Sequence, residues 1–155
     1  MNANDNAAKA EGSLRIVVAV DGSAAANRAV SHALSLVEGR PGSQVFLVNA
    51  QSMETLDVPD ISAVIRVDAD RRLAARQSRI ALRRATALCR KAEASFVARA
   101  EIGPPAETVD RVAREVGARQ IIMGTRGLGS LGNLFLGSVA AKVVRLADVP
   151  VTLVT

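Results

Sequence analysis

Five short apolar runs, separated by longer segments of helical periodicity, restrict this chain more than any single residue does. The runs are Leu14–Val20, Gln44–Ala50, Ser95–Ile102, Arg119–Met123 and Pro150–Thr155. Between them lie four segments that read as helices, Ala24–Val37, Asp68–Ala94, Pro105–Val116 and Val139–Ala147. Alternation of this kind joins strands by right-handed crossovers, so the strands run parallel and both faces of the sheet are covered. The expected fold is therefore α/β, a doubly wound, Rossmann-like open parallel sheet of five strands. Residues 1–13 are polar and unpatterned and are expected to be a disordered lead-in to one domain spanning 14–155. The connection 51–67, with Pro59 and mixed polarity, takes no assignment.

Composition narrows the function classes. Apolar residues make up 49% of the 155 and aromatic residues only 2%, so the core must be aliphatic. The single cysteine, Cys89, excludes an intramolecular disulfide. It falls on an apolar stripe with Leu82, Ala85, Ala92 and Phe96, which predicts a buried small hydrophobe rather than a nucleophile. No apolar run is long enough to span a bilayer, and the N-terminus has no apolar stretch to act as a signal, so a cytoplasmic protein is expected. The formal charge of +5 invites a nucleic-acid partner, with much of the excess in Arg71, Arg72, Arg76, Arg79, Arg83, Arg84, Arg90 and Lys91. Trp and Tyr are absent, leaving little for base stacking, so the reading favours a solvated helix face. His32 stands alone within the first helix, with no Cys or acidic cluster beside it to build a metal site or catalytic dyad.

Five of the eleven glycines fall within the fifteen residues Gly124–Ser138, between the fourth apolar run and the last helix. A strand, a glycine-rich loop and a helix N-terminus together aim unpaired N–H groups and a positive dipole end at one place, which suits a phosphate. A plainer alternative is that Ser138 caps the helix and the glycines only make a loop. Gly127, Gly129 and Gly132 fit the dinucleotide fingerprint, but the positions where that fingerprint needs a ribose-binding acid run into Pro150–Thr155, which has none, and that reading fails. Asp21 lies just past the first strand, where ligands bind in open parallel sheets, and can also cap the helix after it.

The spacing Gly124-x-x-Gly127, nine residues, then Gly137-Ser138 resembles the nucleotide-binding pattern of the universal stress protein family, ATP-binding type. Arg15–Ser23 and Asp148–Val154 resemble that family too. The resemblance implies a strand order of 3-2-1-4-5, which brings Asp21 and the glycine loop to one crevice. It implies ATP as ligand, with Mg2+ held mainly by phosphate oxygens and water. It also implies that Asp21 lies against the adenosine and that the main chain of Ala50 meets the adenine edge. The expected contact residues are Ala19, Val20, Asp21, Ala50, Met123, Gly124, Arg126, Gly127, Gly137, Ser138 and Val139, none of them catalytic. Val149–Thr155 becomes a sheet edge, and the family implies a homodimer through it. The role so implied is a nucleotide-dependent stress-response or regulatory dimer, with room for an unidentified protein partner. Two other readings stay open, a slow ATP hydrolase or phosphotransferase and a dimeric interaction module that binds no nucleotide. The chain lacks the G-x-x-x-x-G-K-[ST] phosphate loop, and family members of the last kind typically lack the glycine pattern kept here.

Overall fold

Each apolar run forms a strand in the computed structural model, which describes residues 13–52, 61–127 and 136–155, the stretch 61–67 through its backbone alone. The strands are β1 (Arg15–Ala19), β2 (Gln44–Gln51), β3 (Phe96–Ile102), β4 (Gln120–Gly124) and β5 (Val151–Val154). The helices are α1 (Ala24–Val37), α2 (Ile61–Lys91), α3 (Pro105–Glu115) and α4 (Ser138–Leu146). Except for Ser13, the expected lead-in lies outside the described residues.

All strand pairs are parallel and the order is β3-β2-β1-β4-β5, as the family resemblance implied. Because successive side chains of a strand point to opposite faces, β1 feeds two cores. Ile16, Val18 and Val20 pack with Ala29, Val30 and Ala33 of α1 and Leu82, Ala85 and Cys89 of α2. Val17 packs on the other face with Val109 and Val112 of α3 and Ala140 and Val143 of α4. Both layers are mostly aliphatic, as the composition required, with Phe46 buried in the second and Phe96 packed against the first.

Local chemistry sets the helix ends. The Ser23 hydroxyl accepts from the Ala26 N–H at 3.1 Å and caps α1, which stops before Gly39 in the left-handed region (φ 67). Helix α2 starts at Ile61, seven residues before the expected Asp68, and ends at Lys91 rather than Ala94. Its first turns follow Pro59 in a stretch of mixed polarity, which hid them in the sequence. At its other end Glu93 adopts φ 50, and the Ala94 N–H returns to the Cys89 carbonyl at 3.1 Å. Ala92 is consequently exposed, and Phe96 belongs to β3, so the buried stripe of α2 is Ala74, Ser78, Ala81, Leu82, Ala85 and Cys89. Burial pushes the Cys89 thiol up to about 11, which keeps it inert at neutral pH. His32 is exposed on α1.

A closed ring of ion pairs ties the edge strand β3 to α3. Arg99 binds Glu101 at 2.7 Å and Glu115 at 2.9 Å, while Arg111 binds Glu101 at 3.0 Å and also Glu115. Hydrogen bonds from Arg111 and Arg99 hold the Glu115 carboxyl below its ordinary range. A depressed carboxyl contributes stability above its unfolded value, about 4.3, and loses it as pH falls through the folded one. Glu115→Gln should therefore lower the melting temperature slightly at pH 7, with the gap to wild type closing as the pH is taken below about 4. Melting curves across that range check it, and a gap that widens in acid contradicts it.

Candidate functional site

The order β2-β1-β4 reverses the direction of winding between β1 and β4, since α1 and α2 cover one face and α3 and α4 the other. Beyond the carboxyl ends of two such strands the connecting loops part in opposite directions and leave a crevice. Ala19 pairs in register with Met123 across this junction, and both lead directly into the glycine-bearing turns. The Val20 N–H continues the ladder to the Val48 carbonyl at 2.8 Å. Asn49, buried in β2, donates its Nδ2 to the Val20 carbonyl at 2.6 Å and accepts from Gln51 Nε2 at 2.8 Å. The chain leaving β1 is thus held from one side by β2.

Asp21 follows. Its Oδ1 accepts from the Ser23 N–H at 2.9 Å, closing an Asx-type turn, and Ser23 rather than Asp21 supplies the cap on α1. Gly22 takes φ 89, and a Cβ there would come within 3.2 Å of the Ala81 Cα, so α2 lies directly against the turn. Such a position admits only glycine without strain.

The glycines divide by what they touch. A Cβ on Gly124 would lie 2.8 Å from Ala25 Cβ and 3.1 Å from the Ala26 nitrogen, so this glycine lets the end of β4 meet the first turn of α1. A Cβ on Gly127 would lie 2.4 Å from Asp21 Oδ2, so residues 106 positions apart in sequence meet in the crevice. Gly137 donates its N–H to the Thr125 carbonyl at 2.8 Å, and the Thr125 N–H donates to Val154 of β5 at 2.8 Å. Both ends of the glycine loop are thereby fastened to the sheet. Gly129 and Gly132, with Leu128, Leu131, Leu134 and Phe135, lie outside the described residues.

Gly137 is the N-cap of α4 and Ser138 its first helical residue, with no side-chain bond closing the end. The plainer expectation that Ser138 serves as the cap does not hold. The N–H groups of the first turn therefore have no intrahelical acceptor, and Ser138 and Val139 are exposed there. Arg126 is exposed beside Gly127. Met123 is buried under the junction, and Ala50 lies on β2, paired with Glu101 of β3 rather than with the loop. A carboxylate, a glycine turn packed too closely against it to admit a side chain, and an open helix N-terminus together suit a ligand with hydrogen-bond donors at one end and negative oxygens at the other. Among the described residues no group of three or more His, Cys, Asp and Glu side chains could hold a metal ion.

Sequence reasoning missed Asn49 and Thr125. Asn49 was visible as the one amide within the apolar run Val45–Val48 and Ala50, whereas Thr125 acts through its backbone and leaves no side-chain signal.

The sequence matches the profile of the universal stress protein family over residues 13–155. Among curated proteins, the universal stress protein in the QAH/OAS sulfhydrylase 3′ region of Thermus aquaticus is 54% identical over 52 residues, which cover 34% of this chain and 38% of that protein. Among solved structures, universal stress protein UspA from Lactobacillus plantarum superposes with a TM-score of 0.74 at 21% identity, covering 92% of this chain and 97% of that one. The universal stress protein from Archaeoglobus fulgidus in complex with dAMP gives a TM-score of 0.62 at 26% identity, covering 93% and 99%.

The different neighbours of the two glycines separate their mutants. Gly124→Ala meets backbone and should cost about 1–3 kcal/mol of stability, while Gly127→Ala meets only the movable end of Asp21 and should cost much less. Asn49→Ala leaves the buried Val20 carbonyl without its donor and should cost about 1–3 kcal/mol. Urea denaturation of the three variants tests the assignments, and an equal loss for Gly124→Ala and Gly127→Ala contradicts them.

Proposed function

The chain belongs to the universal stress protein family, and we propose that it binds an adenine nucleotide, ATP with Mg2+, in the crevice between β1 and β4. One observation carries this reading: the Gly127 backbone approaches the Asp21 carboxylate too closely for any side chain between them, beside a helix end whose N–H groups are uncapped. The dAMP complex of the Archaeoglobus relative supports an adenine nucleotide as the ligand class.

Charge decides the orientation. Asp21 repels phosphate and accepts from hydroxyl or amine donors, so it faces the nucleoside, with the main chain of Ala50 at the adenine edge. Gly124, Gly127 and Gly137 let the backbone close on ribose and phosphates, and the Ser138 hydroxyl and the Ser138 and Val139 N–H groups receive phosphate oxygens. Ala19, Val20 and Met123 form the floor, and Arg126 adds positive charge at the rim. Mg2+ would be held chiefly by phosphate oxygens and water, which needs no protein cluster. Its contribution is to neutralise phosphate charge.

The proposal extends to assembly. β5 is an edge of the sheet, with Leu153 exposed, and the carbonyl of Thr155, the residue after it, accepts from Arg28 Nε at 2.5 Å. An edge of this composition pairs with a second copy. The resulting dimer would report nucleotide state to a partner. No helix among the described residues is long and apolar enough to cross a membrane.

Calorimetric titration with ATP and Mg2+ tests the reading. Nucleotide-free wild type should bind, and folded Gly127→Glu, whose carboxylate occupies the cradle, should lose about a hundredfold or more in affinity. Absence of binding by the wild type overturns the proposal.

A further inference from the structure

The net positive charge of this protein comes from one helix. Residues 61–91 hold nine of the twenty Lys and Arg and only two of the fifteen Asp and Glu, so the remainder of the chain has eleven basic against thirteen acidic residues. From Arg71 to Ala92 there is no acid at all. At about 100° per residue, Arg72, Arg76, Arg79, Arg83 and Arg90 fall on a single stripe. It lies on the far side of α2 from the buried stripe Ala74, Ser78, Ala81, Leu82, Ala85 and Cys89, and all five arginines are exposed. Arg72 pairs with Asp68 at 3.1 Å, and the other four make no ion pair among the described residues. Eighteen residues at about 1.5 Å rise make the stripe about 27 Å long.

From this placement we infer that the outer face of α2 binds the phosphate backbone of duplex nucleic acid, without reading sequence. The inference is independent of the nucleotide crevice. Eight of the nine cations are arginine, whose planar fork meets phosphate oxygens in pairs. Base stacking needs aromatic residues, and the chain has only three, all Phe and none of them on α2, but backbone contact needs none. An acidic protein segment is the weaker occupant. Exposed ion pairs contribute little, and no apolar groove accompanies the stripe, since exposed Leu73 and Ile80 sit about a quarter turn away around the helix. A duplex differs because each phosphate neutralised releases condensed counterions, and its charges follow one another every ~1.7 Å along the axis. An anionic membrane would have to meet the arginines and the two apolar residues at once, and they face different directions.

Fluorescence anisotropy of a labelled mixed-sequence duplex of about 24 base pairs, titrated with the full chain at several salt concentrations, tests this. Four phosphates neutralised predict a log K against log salt slope of about −3.6, or about 150-fold weaker binding at about 200 mM than at about 50 mM salt. The triple variant Arg76→Gln, Arg79→Gln, Arg83→Gln should reduce the slope to about −0.9 while keeping the wild-type circular dichroism spectrum and ATP affinity. A second triple variant, Arg40→Gln, Arg119→Gln, Arg145→Gln, removes the same charge elsewhere and should leave the slope near that of wild type. Loss of slope in both variants alike would reduce the effect to net charge and overturn the inference. So would absence of binding at the lowest salt, or tighter binding to phosphatidylserine vesicles than to the duplex.

Discussion

The parallel pairing of β1 with β4 is the constraint on which the rest of the molecule depends. Four residues of β1, Ile16 to Ala19, run in register with Gln120 to Met123. Because these strands are central, their side chains feed both cores, and Ile122 and Ile121 anchor opposite faces from adjacent positions. The same pairing ends both strands at one level, so whatever follows each of them must share the space above. Asp21 follows one and the glycine loop follows the other. The Asp21–Gly127 approach is therefore a consequence of sheet register before it is a feature of any ligand site.

Backbone proximity at this junction depends on residues that have little or no side chain. Ala25 and Ala26 start α1, and Gly124 ends β4, which brings helix and strand together at a distance a larger residue would forbid. Gly22 does the same for α2 at Ala81. Two helices and one strand thus converge on the turn that carries Asp21, and the Asn49 amide holds the same turn from β2. A turn fixed from several sides is preorganised in its backbone, and the cost of ordering it is met by folding rather than by binding.

Strand and helix alternation was legible because each element keeps one period, and α1 matched its expected bounds, Ala24–Val37, since Ser23 and Gly39 punctuate both ends. The first turns of α2 were not, because residues 61–67 follow Pro59 in a connection of mixed polarity and are too few to mark a helix start. Strand order entered through family resemblance, since periodicity carries no information about neighbours. The glycine spacing pointed to the loop and Asp21 to the same crevice, but the separate roles of Gly124 and Gly127 could not be read. One meets a helix and the other a carboxylate, and both contacts are made across a hundred or so residues of intervening chain. The cap of α4 went the other way from the plainer expectation, because Gly137 occupies the position that Ser138 was given.

In the proposed complex the glycine loop and the start of α4 receive a nucleotide opposite Asp21. Amide chemical-shift mapping by NMR during titration with ATP and Mg2+ tests it most directly, since the groups concerned are backbone N–H. The largest shifts should fall on Gly124, Gly127, Gly137, Ser138 and Val139, with Asp21 and Ala50 next. Shifts confined to the opposite end of the sheet, around Gly39 and Ser95, or no shifts at saturating nucleotide, would contradict it.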